Sequence, residues 1–133
     1  MALVKFGDLQ VGKLPVVGPF QVSPLALETF LEITGERHPI HEKAGVVPGG
    51  FLHSLTAGAM ISGTGAWDVK GLRTMNWRFL APLRVAQDYY VQTEINELIP
   101  ITENTGLVIL QRRITGSENN LLATGRLELV VNR

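Results

Sequence analysis

The chain contains no cysteine. That excludes disulfide bridges, cysteine-based zinc sites and thiol nucleophiles, and it fits a reducing, cytoplasmic setting. Charge is also sparse. Charged residues are 18% of the chain, with Lys+Arg and Asp+Glu at 12 each, so the formal net charge is zero. No broad field is therefore available to attract nucleic acid or an anionic membrane. Long apolar runs are missing too. The best candidate, Phe51 to Ile61, is broken by His53 and Ser54, so no bilayer span is expected. Residues Met1 to Gln10 lack a cationic stretch leading into an apolar core, and no signal peptide is expected.

What remains is apolar. The chain has 133 residues, 45% of them hydrophobic, and a mean hydropathy of +0.16. This length supports one domain, residues 1–133, with a substantial core. So apolar a composition in so small a protein implies that another subunit covers part of its surface. A homodimer or higher homo-oligomer is expected.

Ser23-Pro24 opens a helix that runs to Thr34. Ser23 is a capping residue, and Pro24 suits the first helical position. Leu27, Phe30 and Leu31 make one apolar stripe, and Gly35 is a left-handed stop. His38 precedes Pro39, so Glu36 to His41 is expected to be an extended or turning segment rather than a helix. Glu42 to Gly50, with Gly45, Pro48, Gly49 and Gly50, reads as a mobile connection. Phe51 to Ser62 reads as a helix apolar on several faces and hence buried on most sides. Ala57-Gly58-Ala59 would let a sheet approach its backbone closely.

Alternation then predicts strands around Met75 to Phe79, Tyr89 to Ile95, Leu107 to Thr115 and Leu121 to Val131. Short links between them imply an antiparallel meander. A sheet wrapped around one buried helix lets both surfaces leave water together. The class is α+β: a single hot-dog, with an antiparallel sheet around a buried central helix.

All three histidines, His38, His41 and His53, fall between Thr34 and Met60. Glu36 stands near His41, which gives a candidate carboxylate–imidazole pair. Each also has a plain structural reading: a solvated carboxylate or an ion pair with Arg37 for Glu36, and a hydrogen-bonding role for the histidines. His38 and His41, even with Glu36, do not read as a metal site, because metal-binding histidine pairs normally sit on a helix face or with further ligands, and Pro39 prevents the helix. Ser54 lacks the glycine-flanked elbow of a serine nucleophile.

Three segments, taken in order, resemble one family. Gly35-Glu36-Arg37-His38-Pro39-Ile40-His41 resembles the Gly-Asp-x-Asn-Pro-Leu/Ile-His signature of the MaoC-like dehydratases and R-specific enoyl-CoA hydratases. Phe51-Leu52-His53-Ser54 stands where that family has an apolar pair and His-Gly. Trp77 to Leu83 resembles its x-Arg-Phe-x-x-Pro-Val strand. The departures are Glu36 for aspartate, His38 for asparagine, Ser54 for glycine and Ala86-Gln87 for Gly-Asp. The resemblance implies a hydratase or dehydratase of acyl thioesters carried by coenzyme A or an acyl carrier, working without a cofactor. It implies Glu36 and His41 as the acid–base pair. It also implies Ser54, through its amide, with His53 and His38, around the oxyanion and the substrate. The same fold also serves thioesterases and non-catalytic acyl-CoA-binding subunits, which stay open as alternatives.

Overall fold

The computed structural model describes residues 2–133. The alternating segments become one six-stranded antiparallel sheet. Its strands are β1 (Gly12–Lys13), β2 (Val17–Phe20), β3 (Val69–Phe79), β4 (Tyr89–Pro100), β5 (Thr105–Gly116) and β6 (Leu121–Asn132), in the order β1-β4-β5-β6-β3, with β2 also on β4. Both β3 and β4 run further than the alternation suggested. They do so by absorbing bulges, between Val69 and Thr74 and at Ile95/Glu97, where the strict period of two is lost.

Helix α1 (Pro24–Thr34) is built as its sequence dictates. Ser23 Oγ accepts from the Ala26 amide at 3.0 Å, and Gly35 ends the helix at φ 73°. Its buried residues, Leu27 and Leu31, join the core, and Phe30 stacks on Phe51 with centroids 4.4 Å apart.

Helix α3 (Gly49–Thr64) lies against the inner face of the sheet. Leu52, Ala59 and Met60 pack there with Val91, Ile114 and Leu122. A second cluster, Phe6 with Ile95, Val108, Leu110, Leu127 and Leu129, extends the core. Within one chain the helix is covered on one side only, which corrects the expectation of burial on most sides. Ser54, Ala57, Gly58 and Ile61 are exposed. A Cβ at Gly58 would meet nothing, so close approach of the sheet is not what that glycine serves. The sheet's width suffices for one face of a helix, and the other apolar face stays open.

A related face is open at the sheet edge. β3 is an edge strand, and its Leu72, Met75 and Phe79 are 46%, 51% and 50% exposed. Among the described residues no helix is long and apolar enough to cross a membrane.

Candidate functional site

His38 adopts the extended conformation that a following proline imposes (φ −61°, ψ 139°). The chain then turns into a short helix, α2 (Pro39–Glu42), where an extended or turning segment was expected. Pro39 starts this helix rather than preventing it, since a first helical residue needs no amide hydrogen. His38 caps it: its Nδ1 accepts from the Ile40 amide at 3.2 Å. The ring that stands where the family has asparagine is thus engaged in an asparagine-like cap, and it is exposed.

His41 sits on α2, half-buried. Its Nδ1 lies 2.7 Å from the Val46 carbonyl oxygen. A carbonyl only accepts, so Nδ1 carries a proton, and in the neutral ring Nε2 is the nitrogen with the lone pair. Val46 is itself held. Val47 N donates to Leu83 O at 2.8 Å, and Val85 N to Gly45 O at 3.0 Å. The stretch expected to be a mobile connection is instead tied to the segment after β3, with Val47 and Pro48 buried. Its glycine and proline shape a tethered loop. His41 borders a mostly apolar cavity of about 340 Å³, together with Val47, Gly49, Leu52, Phe79 and Pro82.

Helix α3 meets that cavity at its N-terminus, beginning at Gly49 rather than at Phe51. A Cβ on Gly49 would lie 2.5 Å from the Phe79 ring, so only glycine lets the ring cover the helix start. The Phe51 and Leu52 amides both bond to Pro48 O, while those of Gly49 and Gly50 have no backbone partner among the described residues. These two amides carry the positive end of the helix. Because the helix starts early, Ser54 lies well inside it. Its amide belongs to the helical ladder, and its hydroxyl reaches Gly50 O at 3.4 Å.

Glu36 follows the left-handed Gly35 and is exposed. Its carboxylate has no hydrogen-bond or ion-pair partner among the described residues. Arg37, its neighbour, is committed elsewhere. Its guanidinium donates to both oxygens of Glu28, at 2.7 and 2.9 Å, and lies 3.7 Å from Glu42. Glu36 does not line the His41 cavity.

His53 is held in the opposite tautomer to His41. Trp77 Nε1 donates to its Nδ1 at 3.1 Å, so that nitrogen is unprotonated and Nε2 carries the hydrogen. Desolvation holds its pKa below the ordinary 6.5, and the nearby Arg112 charge pushes it further down. Trp77 lies flat over Gly125, where a Cβ would come within 2.6 Å of the ring.

Arg112 is the polar feature that sequence reading missed. It is 7% exposed and has no ion-pair partner among the described residues, and desolvation pulls its pKa down to about 10. The signal was there in β5: Val108, Leu110, Arg112 and Ile114 share one side of the strand, so the arginine faces the core. Among the described residues, no cluster of three or more His, Asp or Glu could hold a metal.

No protein-family model matches the chain. A 3-hydroxybutyryl-CoA dehydratase from Methylorubrum extorquens is 33% identical over 113 residues, covering 75% of this chain and 69% of the relative. An R-hydratase from Pseudomonas aeruginosa superposes with a TM-score of 0.78 at 19% identity, covering 97% of this chain and 86% of that one. A MaoC-like dehydratase from Rhodospirillum rubrum gives 0.74 at 18%, covering 98% and 97%. The structural matches establish the hot-dog fold, and the sequence relative carries the kinship further. The chain belongs to the family of MaoC-like dehydratases and R-specific enoyl-CoA hydratases.

Proposed function

We propose that this protein interconverts 2-enoyl and 3-hydroxyacyl thioesters, carried by coenzyme A or an acyl carrier, by adding or removing water. The observation that carries this reading is His41. Its Nδ1–H is spent on Val46 O, which leaves Nε2 as an acceptor beside a cavity that Gly49, at the N-terminus of α3, also borders. In the proposed hydration, His41 and Glu36 share one water, for which the exposed Glu36 carboxylate has to reach a cavity that it does not line in the single chain. The water oxygen bonds to C3 of the enoyl group as one of its protons passes to this pair. The pair returns a proton to C2, so one H and one OH are added. The enolate oxygen formed in between needs donors that are already in place, and the Gly49 and Gly50 amides supply them. Acid–base help of this kind is worth about 10²–10⁴-fold. Glu36 suits the role because no cation claims its carboxylate.

The test is loss of enoyl absorbance on adding purified protein to crotonyl-CoA. Glu36→Ala and His41→Ala are each expected to cut the rate by at least about 10²-fold. Full activity in both variants overturns the assignment. The exposure of Glu36 favours one second reading, a subunit that binds acyl thioesters without turning them over. Calorimetric binding of an acyl-CoA with no consumption of crotonyl-CoA and no thiol release would establish that reading. Thiol release without hydration would instead identify a thioesterase.

The working unit in this proposal is a homodimer of single-domain protomers. The long β3 edge carries exposed Leu72, Met75 and Phe79, and an unpaired apolar edge of that kind invites a second strand. Light scattering is expected to give twice the protomer mass, and Leu72→Lys to shift it toward one.

A further inference from the structure

A second cavity, of about 330 Å³, lies between α3 and the inner face of the sheet. Most of its wall is apolar, with Met60, Ile61, Trp67 and Leu127 among the lining residues. The polar groups on it are Arg112, Thr93 and His53. Arg112 and Thr93 are cross-strand neighbours on β5 and β4, both facing inward. The guanidinium makes one side-chain hydrogen bond, Nη1 to Thr56 Oγ1 at 3.3 Å. Its Nε and the Thr93 hydroxyl are buried without partners. Among the described residues no carboxylate lines the cavity.

A buried cation with no counterion is costly and calls for compensation. The cavity holds three groups that can donate to a ligand: the guanidinium fork, the Thr93 hydroxyl, which can also accept, and the Nε2–H of His53. Such a set matches a carboxylate, which a guanidinium receives through two parallel hydrogen bonds. The apolar walls match a hydrocarbon chain leading to it.

Helix α3 borders both this cavity and the His41 cavity. Gly49 lines the first cavity, His53, Ala57 and Ile61 line the second, and spacing by four puts all of them on one side of the helix. Gly49 and Ala57 are about 12 Å apart along the axis. Resting on the thioester reading above, we infer that the inner cavity takes the far end of the acyl chain and that Arg112 selects chains ending in a carboxylate.

The test compares pairs of enoyl-CoA thioesters of equal length, one ending in methyl and one in carboxylate. Saturated pairs titrated by calorimetry give a readout that needs no turnover. Wild type is expected to favour the carboxylate-ended member by about tenfold or more, the scale of one charge-assisted hydrogen-bond pair. Arg112→Met is expected to bring that ratio to one or below. Thr93→Val, which keeps the shape of the wall, is expected to lower it by a smaller factor. Equal binding of both members by wild type overturns the inference, as does a preference that survives Arg112→Met. If crotonyl-CoA is not hydrated while the binding preference holds, the hydratase reading falls and this one stands.

Discussion

Replacing Arg112 with methionine is expected to stabilise the protein, although it removes the most buried charged side chain among the described residues. At neutral pH the guanidinium is still charged, because its pKa of about 10 lies well above 7. The distance of that value from the ordinary arginine range measures what burial costs the cation, on the order of 3 kcal/mol at about 1.4 kcal/mol per tenfold change. Methionine keeps an unbranched stem of similar length against the same walls. The hydrogen bond to Thr56 is lost, which removes about 1 kcal/mol. Thr56 is not orphaned, since its hydroxyl still donates to His53 O at 2.7 Å. The expected net gain is about 1–3 kcal/mol, as when buried ionic groups give way to apolar ones of similar volume. For a chain of this size that is a rise of roughly 3–10 °C in Tm. Urea unfolding at fixed protein concentration is the suitable assay, because subunit association would otherwise shift the midpoint.

The sign of the pH dependence gives an independent check. Arg112 has a lower pKa folded than unfolded, so above about pH 10 the unfolded chain binds more protons, and stability should rise with pH there. That rise should be absent from Arg112→Met. A variant destabilised by more than about 1 kcal/mol would refute the reasoning, since only a well-compensated charge loses that much on removal.

Three further outcomes are expected. His53 has a folded pKa below its ordinary 6.5, so stability is lost as pH falls through that value; His53→Gln should flatten this loss, and NMR titration should show the His53 pKa moving up in Arg112→Met. Gly125→Ala drives a methyl group into the Trp77 ring and should destabilise by about 1–3 kcal/mol, seen as a lower urea midpoint together with a changed Trp fluorescence. Ala86 sits at φ 62°, a left-handed conformation that costs a non-glycine residue about 1–2 kcal/mol, so Ala86→Gly should leave stability equal or raise it by up to about 1 kcal/mol in thermal melts.

The sequence made the architecture legible because its signals were local. Ser23 and Gly35 bound α1, and alternation revealed the last four strands, with the largest shortfalls, in β3 and β4, where bulges break the period. Ala86 shows the same locality: it occupies a backbone conformation suited to the glycine usual at that place. What escaped reading depended on distant partners. Pro39 reads equally as a barrier or as a first helical residue, and the cap from the His38 ring decides which. The loop before α3 looked free because its glycines and proline are visible in sequence, whereas Leu83 and Val85, which tether it, lie far along the chain. The open face of α3 followed from how much sheet one chain can supply. Arg112 was accessible in principle, and its neighbours Gln111 and Arg113 masked the register that turns it inward.

The tether between Gly45–Val47 and Leu83–Val85 bears on which changes of length the chain can accept. An insertion in the Thr102–Asn104 or Ser117–Asn120 turns would lengthen a surface loop at little cost. One between Lys43 and Pro48 would release the carbonyl that fixes the His41 ring and displace the start of α3 as well. This six-residue span (43 to 48) behaves less as a loop than as a spacer of set length, and loop grafting intended to change substrate preference would do better to begin elsewhere.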